Sequence, residues 1–338
     1  MEFTGSHIIS IGQFERGDIE RIFEVADSMR PYAHRRKKTK VLDGAILGSM
    51  FFEPSTRTRV SFGSAFNLLG GEVRETIGFE SSAIAKGESL YDTARVLSGY
   101  SDIIAMRHPQ EGSVAEFAAA SRVPVLNGGG GANEHPSQAL LDLFTIKSEL
   151  LHRGRDGVDG LRIALIGDLR FGRTVHSLCK LLTLFNDIHV TLISPAELKM
   201  PGEIVEQLRE AGHTVVESDN MEQSINQVDI AYSTRIQEER FASKEEANLY
   251  RGRYRLNQAI YTRYCDPNTV IMHPLPRDSR AGANELDNDL NDNPNLAIFR
   301  QADNGVLVRM ALFALVLDVV DQVDKHATDV HWYTGSRF

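Results

Sequence analysis

Hydrophobic positions along the chain alternate between short apolar runs and stretches with helical spacing. Over residues 18–30, Ile19, Ile22, Phe23, Ala26 and Met29 share one helical face, and Asp18 is the expected N-cap. The run AILGSMFF (45–52) predicts a buried strand, and Val60, Ala65, Phe66 and Leu69 predict the helix after it. The same pattern gives a strand over 72–77, a helix over 88–99, a strand over 102–106, a helix over 113–121 and a strand over 123–127. A long helix is expected from Pro136 to about Leu151, with the proline where its missing N–H costs nothing. The cycle then restarts. Strands are predicted over 162–168, 189–194, 213–218, 229–234 and 269–273, with helices over 172–185 and 203–211 and a strongly apolar helix over 305–320.

Strand–helix alternation at this spacing implies parallel sheets covered by helices on both faces. The expected fold is α/β with two lobes, each a parallel sheet flanked by helices. The basic, glycine-containing stretch 152–160 interrupts the series once and marks the boundary. The expected domains are 1–150, with the C-terminal helix 305–323 packing back on it, then 151–304, then a tail over 324–338 carrying Trp332, Tyr333 and Phe338. The basic run HRRKKTK (34–40) reads as a solvated turn, and the acidic, Asn-rich segment 283–295 as a surface loop.

Composition narrows the function. Lys and Arg number 37 against 46 Asp and Glu, a net charge of −9, which argues against nucleic acid or an anionic membrane as partner. Two cysteines, Cys179 and Cys265, are too few for a disulfide framework or a Cys-rich zinc site. With no apolar run approaching the ~18 residues of a membrane span and no signal-peptide pattern, a cytoplasmic protein is expected.

In open parallel sheets ligands sit beyond the carboxyl ends of the strands, so the polar residues that follow strands carry the candidate chemistry. Ser55, Thr56, Arg57 and Thr58 lie where a helix begins, and free N–H groups with two kinds of side-chain donor suit a phosphate. Arg107 follows the strand at 102–106. Four glycines, 128–131, precede His135 and Gln138, which could polarise a carbonyl and bond an amide. GDLRFGRT (167–174) lacks the G-x-G-x-x-G spacing of a dinucleotide turn, and its Arg173 suits a carboxylate, as do Arg235 and Gln237 of STRIQ. Pro274 and Pro276 bracket Leu275 in a stiff turn whose carbonyls could accept bonds from an amine or amide, and Leu275–Pro276 is a candidate cis bond. Four arginines after strands in an acidic chain point to a small, strongly anionic substrate. No metal-ligand spacing and no Ser–His–Asp order emerges. The residues alone indicate group transfer involving phosphate and a carboxylate-bearing partner.

The ordered motifs FFEPSTRTRVSF (51–62), KGESLYDT (86–93), MRHPQEG (106–112), HPSQALLDLFTI (135–146), GDLRFGRTVHSL (167–178), TRIQEER (234–240) and MHPLPR (272–277) resemble the aspartate/ornithine carbamoyltransferase family. The likeness runs from residue 7 to residue 317, and the pair Arg235 and Gln237, with HPLP in place of HCLP, places it nearer the aspartate branch than the ornithine one. The resemblance implies carbamoyl transfer from carbamoyl phosphate to L-aspartate, an early step of de novo pyrimidine synthesis, with no cofactor and no metal. It implies that Ser55, Thr56, Arg57 and Thr58 hold phosphate; that Thr58, Arg107 and His135 act on the carbonyl oxygen; and that Gln138 with the carbonyls of Pro274 and Leu275 holds the carbamoyl nitrogen. Lys86, Arg173, Arg235, Gln237 and Leu275 are implied for aspartate, with Ser82 and Lys86 reaching in from a neighbouring subunit. A homotrimer with shared sites follows, alone or in a larger assembly with a regulatory chain or a dihydroorotase. The rival readings are an ornithine-type acceptor and a catalytically silent homologue.

Overall fold

The structure, a computed structural model, describes residues 1–78, 87–130, 134–241, 243, 245, 248–280 and 282–335. The chain runs α1 (Arg16–Ser28), β1 (Lys37–Thr39), β2 (Ile46–Phe51), α2 (Thr56–Leu68), β3 (Glu72–Ile77), α3 (Leu90–Leu97), β4 (Ile103–His108), α4 (Ser113–Ala120), β5 (Val125–Gly130) and α5 (Pro136–His152). It continues with β6 (Arg162–Ile166), α6 (Arg173–Leu182), β7 (His189–Ile193), α7 (Gly202–Glu210), β8 (Thr214–Ser218), β9 (Ile230–Ser233), α8 (Gln258–Tyr264), β10 (Val270–Met272), α9 (Ile298–Val316) and β11 (Ala327–Asp329). Two compact units result: residues 1–140 with 303–338, and residues 141–302.

The first unit holds a parallel sheet in the order β3-β2-β4-β5. Strand β4 is buried along its whole length, as expected of an interior strand covered on both faces. Edge strand β3 instead turns Glu72, Arg74 and Glu75 to solvent, which blunts an otherwise open edge. Met50, Ile104, Met106, Phe117 and Val125 form one core face. On helix α9, Phe313 meets Phe66 and Phe62 edge-on at centroid distances of 5.0 and 6.0 Å. This helix starts seven residues before the predicted 305 because Gln301 and Asn304 break the apolar pattern while being buried.

Two expectations for this unit are corrected. Asp18 is not the N-cap of α1: Glu15 is, and Asp18 reaches back from the third helical position to accept the Glu15 N–H at 2.8 Å and the terminal amine at 2.6 Å. The run 34–40 is not a solvated turn. Lys37–Thr39 pairs antiparallel with Ala327–Asp329, Thr39 is buried and donates to the Val323 carbonyl, and Lys38 lies over the Trp332 ring at 5.4 Å. The partner strand lies in the C-terminal tail, so nothing local to the basic run announces the pairing.

The second unit holds a parallel sheet in the order β10-β9-β6-β7-β8. Its core gathers Ile166, Ala231, Tyr261, Ile271, Leu286 and Leu290. The segment 283–295 is therefore more than a surface loop: Leu286 and Leu290 are buried, the Asp287 N–H bonds the Leu256 carbonyl, and Arg255 pairs with Asp287. Helix α8 has no counterpart among the predicted elements: it is only seven residues long, and its Tyr261 is buried in this core with Tyr264 packed against it.

Glu149 anchors the end of α5 within this unit. Arg300 Nε lies 2.6 Å from one carboxylate oxygen and Arg153 Nη1 2.9 Å from the other. Burial pushes this carboxyl up, but Arg300 and then Arg153 outweigh burial and hold it below its ordinary value. A group held lower in the folded than in the unfolded chain adds stability above its unfolded pKa, and that stability is lost as pH falls through the folded value. Glu149→Gln is expected to cost about 3 kcal/mol at neutral pH. It should also flatten the fall in Tm as pH drops below the ordinary glutamate value of about 4.5, read by calorimetry. An unchanged acid slope would remove Glu149 from the acid response.

Candidate active site

In the first unit the candidate residues follow three adjacent strands. Strand β2 leads through Phe52, whose N–H bonds the Arg107 carbonyl at 2.9 Å, into α2. Ser55 is the N-cap of α2, yet its hydroxyl does not cap the helix; Thr56, Arg57 and Thr58 are its first three residues. The open N–H groups of this helix end, with the Ser and Thr hydroxyls beside them, form an anion-binding surface. Thr56 and Arg57 are exposed, Ser55 is half-buried and Thr58 is buried.

Arg107 lies within β4, not past it as expected, and is 6% exposed. Its Nε is 2.8 Å from the Glu53 carboxylate. The register between β4 and β5 shifts here: Met106 pairs with Asn127, but His108 pairs with Gly130, so β5 carries an extra residue. Gly128, Gly129 and Gly130 thus belong to the strand rather than to the connection after it, while Gly131 lies outside the described residues. Gly129 has φ +112°, and a Cβ on it would stand 2.9 Å from Arg107 Nη1 and 3.2 Å from His135 Cδ2. Glycine is needed because the arginine fork and the imidazole both close on this backbone. Asn127 holds the bulge by accepting the Gly129 N–H at 2.8 Å and donating to the Ile9 carbonyl at 2.8 Å.

His135 is buried immediately before α5, where Pro136 is the first helical residue and Gln138 the third, half-buried. The structure therefore brings Arg107 and His135 onto one glycine, next to the strand that feeds α2. Ser82 and Lys86 lie outside the described residues.

In the second unit the candidates follow the adjacent strands β6, β9 and β10. Asp168, fully buried after β6, ties two of these connections together. One oxygen accepts the Phe171 N–H at 2.9 Å, and the other accepts the Gln237 N–H at 3.1 Å. Burial raises its pKa, opposed by these backbone donors. Gln237 Nε2 returns the link by donating to the Phe171 carbonyl at 2.6 Å. Gly167, at φ +113°, lets the chain pass where a Cβ would sit 2.4 Å from the Thr234 carbonyl oxygen. Arg173 is the first residue of α6, after β6, and Arg235 lies two residues past β9, both half-buried. Two guanidinium groups presented from one braced pair of loops suit a ligand with two carboxylates.

After β10, Leu275 has φ +57°, and the Leu275–Pro276 bond is cis, the isomer the Pro-Leu-Pro spacing suggests. The Leu275 N–H bonds His273 Nδ1 at 2.8 Å, and His273 Nε2 is 2.7 Å from Glu285. Pro274 and Leu275 are half-buried.

Sequence reasoning missed Glu53, Asn127, Asp168 and Glu285. Three of them bond backbone or other site side chains, so no ligand chemistry of their own marked them; Asp168 alone carried a signal, as the polar residue directly after a buried strand run. Among the described residues no group of three or more His, Cys, Asp or Glu side chains could hold a metal ion, and no helix is long and apolar enough to cross a membrane.

Residues 6–148 match the aspartate/ornithine carbamoyltransferase carbamoyl-P binding domain, and residues 159–316 match the Asp/Orn binding domain of the same family. The aspartate carbamoyltransferase catalytic subunit of Cellvibrio japonicus is 75% identical over 337 residues, covering 100% of this chain and 99% of its own. That of Saccharophagus degradans is 75% identical over 338 residues, covering 100% of both. Among solved structures, aspartate transcarbamoylase from Trypanosoma cruzi in complex with N-(phosphonacetyl)-L-aspartic acid superposes with a TM-score of 0.82 at 38% identity, covering 93% of this chain and 96% of that one. The catalytic subunit of M. jannaschii aspartate transcarbamoylase gives a TM-score of 0.83 at 40% identity, covering 94% and 99%. With nearly its whole length matched by both family domains, the chain belongs to the aspartate/ornithine carbamoyltransferase family.

Proposed function

We propose that this chain transfers the carbamoyl group of carbamoyl phosphate to the α-amine of L-aspartate, giving N-carbamoyl-L-aspartate and phosphate, as an early step of pyrimidine synthesis. The observation that carries the aspartate assignment is the Asp168 brace, which sets Arg173, Arg235 and Gln237 on neighbouring strand ends. A cationic acceptor such as ornithine calls for acidic partners instead.

In this reading Ser55, Thr56, Arg57 and Thr58 take the phosphate at the N-terminus of α2. Gln138 and the carbonyls of Pro274 and Leu275 take the carbamoyl nitrogen, and Arg173, Arg235 and Gln237 take the aspartate carboxylates. The neutral amine attacks the carbonyl carbon and a C–N bond forms. Negative charge develops on the carbonyl oxygen, where Thr58, Arg107 and His135 stabilise it. The C–O bond to phosphate then breaks, and the departing phosphate takes the amine proton, so no strong protein base is required. Holding two mutually repelling anions in register supplies much of the rate.

His135→Ala is expected to lower kcat by about 10²–10³ while the KM values move much less, because the developing oxyanion loses one donor. Steady-state kinetics with both substrates check this, and an unchanged kcat would refute the role. The reaction itself is tested by offering carbamoyl phosphate with L-aspartate, and L-ornithine in parallel, and quantifying ureido products. Product with ornithine would overturn the assignment of Arg235 and Gln237. No product with either would favour a silent homologue.

We further propose a cytoplasmic homotrimer in which Ser82 and Lys86 complete a neighbour's site, alone or with a regulatory chain or a dihydroorotase. Exposed Val60, Tyr91, Val96 and Tyr100 on and beside α2 and α3 support association through this unit.

A further inference from the structure

We propose that His273 and Glu285 form a positioning pair that makes the protein select a carbamoyl group over an acyl group lacking the amide nitrogen. The inference rests on the reading that the Pro274 and Leu275 carbonyls receive the carbamoyl N–H bonds.

The geometry fixes the protonation pattern. His273 Nδ1 accepts the Leu275 N–H at 2.8 Å, so that nitrogen carries no proton. The proton of the neutral ring is then on Nε2, which donates to Glu285 Oε1 at 2.7 Å. Glu285 also receives the Asp278 N–H at 3.2 Å, so it ties the far side of the same turn. The backbone of His273 is fixed independently: its N–H bonds Gln301 Oε1 at 2.9 Å, and Gln301 Nε2 donates to Asp142 at 2.6 Å. Tyr232 donates to the other Asp142 oxygen at 2.7 Å. His273 is 1% exposed and Glu285 6%, so no bulk water competes for these bonds.

The residue they restrain needs restraint. Leu275 is a branched side chain at φ +57°, a conformation most such residues avoid, and its N–H anchor is the imidazole two residues earlier. Rotation of this peptide would redirect the Pro274 and Leu275 carbonyls, the only groups in the turn that distinguish an –NH2 from a –CH3. Phosphate and carbonyl-oxygen contacts would be untouched. The pair thus governs discrimination at one atom of the substrate rather than overall affinity.

Acetyl phosphate carries a methyl group where carbamoyl phosphate carries the amide, and is the probe. The readout is the ratio of its inhibition constant to the dissociation constant of carbamoyl phosphate. In His273→Gln the terminal amide can still reach Glu285, but no acceptor stands near the Leu275 N–H. In His273→Asn the amide oxygen takes the place of Nδ1 and the acceptor survives. The ratio is expected to fall about tenfold in His273→Gln and to stay within about threefold of wild type in His273→Asn. Glu285→Gln, which keeps the volume and one acceptor, is expected to lower it a few-fold and serves if His273→Gln does not fold. Equal ratios in wild type, His273→Gln and Glu285→Gln, or equal losses in the Gln and Asn variants of His273, would overturn the proposal. Failure of the wild type to carbamoylate aspartate would instead overturn the functional reading beneath it, so the two failures are separable.

Discussion

Asp168→Ala is expected to lower kcat/KM for aspartate by about 10²–10³ while leaving the KM for carbamoyl phosphate within about threefold. The carboxylate holds two backbone N–H groups on separate connections, one two residues before Arg173 and one two residues after Arg235. Removing it takes the acceptor from two N–H groups on half-buried residues, at about 1–3 kcal/mol each. The two arginines then lose their fixed separation, which a dicarboxylate with its own fixed separation reads directly. Asp168→Asn should fall between wild type and alanine, because the amide offers one acceptor and turns a donor toward the other N–H. Two-substrate kinetics decide the matter: a parallel rise in both KM values would point to general loosening and against a brace specific to the aspartate residues.

Arg107→Met should cost about 10³ in kcat and should also weaken carbamoyl phosphate binding, through two separate effects. The developing oxyanion loses a charged donor, and Glu53 keeps its carboxylate with its ion-pair partner gone. The second effect is separable. Adding Glu53→Gln to Arg107→Met should recover affinity for carbamoyl phosphate several-fold while kcat stays low, since the repulsion is relieved but the donor is still missing. Arg107→Lys restores charge without the planar fork and should recover only part of the rate. A double variant no better than Arg107→Met would show that Glu53 does not burden the substrate.

Much of the fold was legible because parallel strands buried on both faces leave continuous apolar runs, as in β2, β4 and β6. What escaped was set by contacts distant in sequence. The pairing of Lys37–Thr39 with Ala327–Asp329 joins opposite ends of the chain, and a basic strand at an edge looks like a solvated turn from its composition. The start of α9 was hidden by Gln301, which is polar because it bonds His273 and Asp142. The candidate ligand-binding residues stood out by position after strands and by charge. Their supports did not. The extra residue in β5 that admits Arg107 and His135 is a matter of register, and the partnership of Asp168 with Gln237 needs two strands to be neighbours before it exists.

The first unit is built from residues 1–140 and 303–338, with the whole second unit inserted between. On a ribosome this has a consequence in time. Phe66 and Phe62 leave the exit tunnel early, but Phe313, against which both pack, is made only after residues 141–302. At about 5–20 residues per second the first sheet waits roughly 9–35 s with that face uncovered. The inserted unit is contiguous and can close during the same interval. The half of the chain translated first is thus the half completed last, and the nascent protein is most exposed to aggregation or to chaperone capture while α9 is still being synthesised.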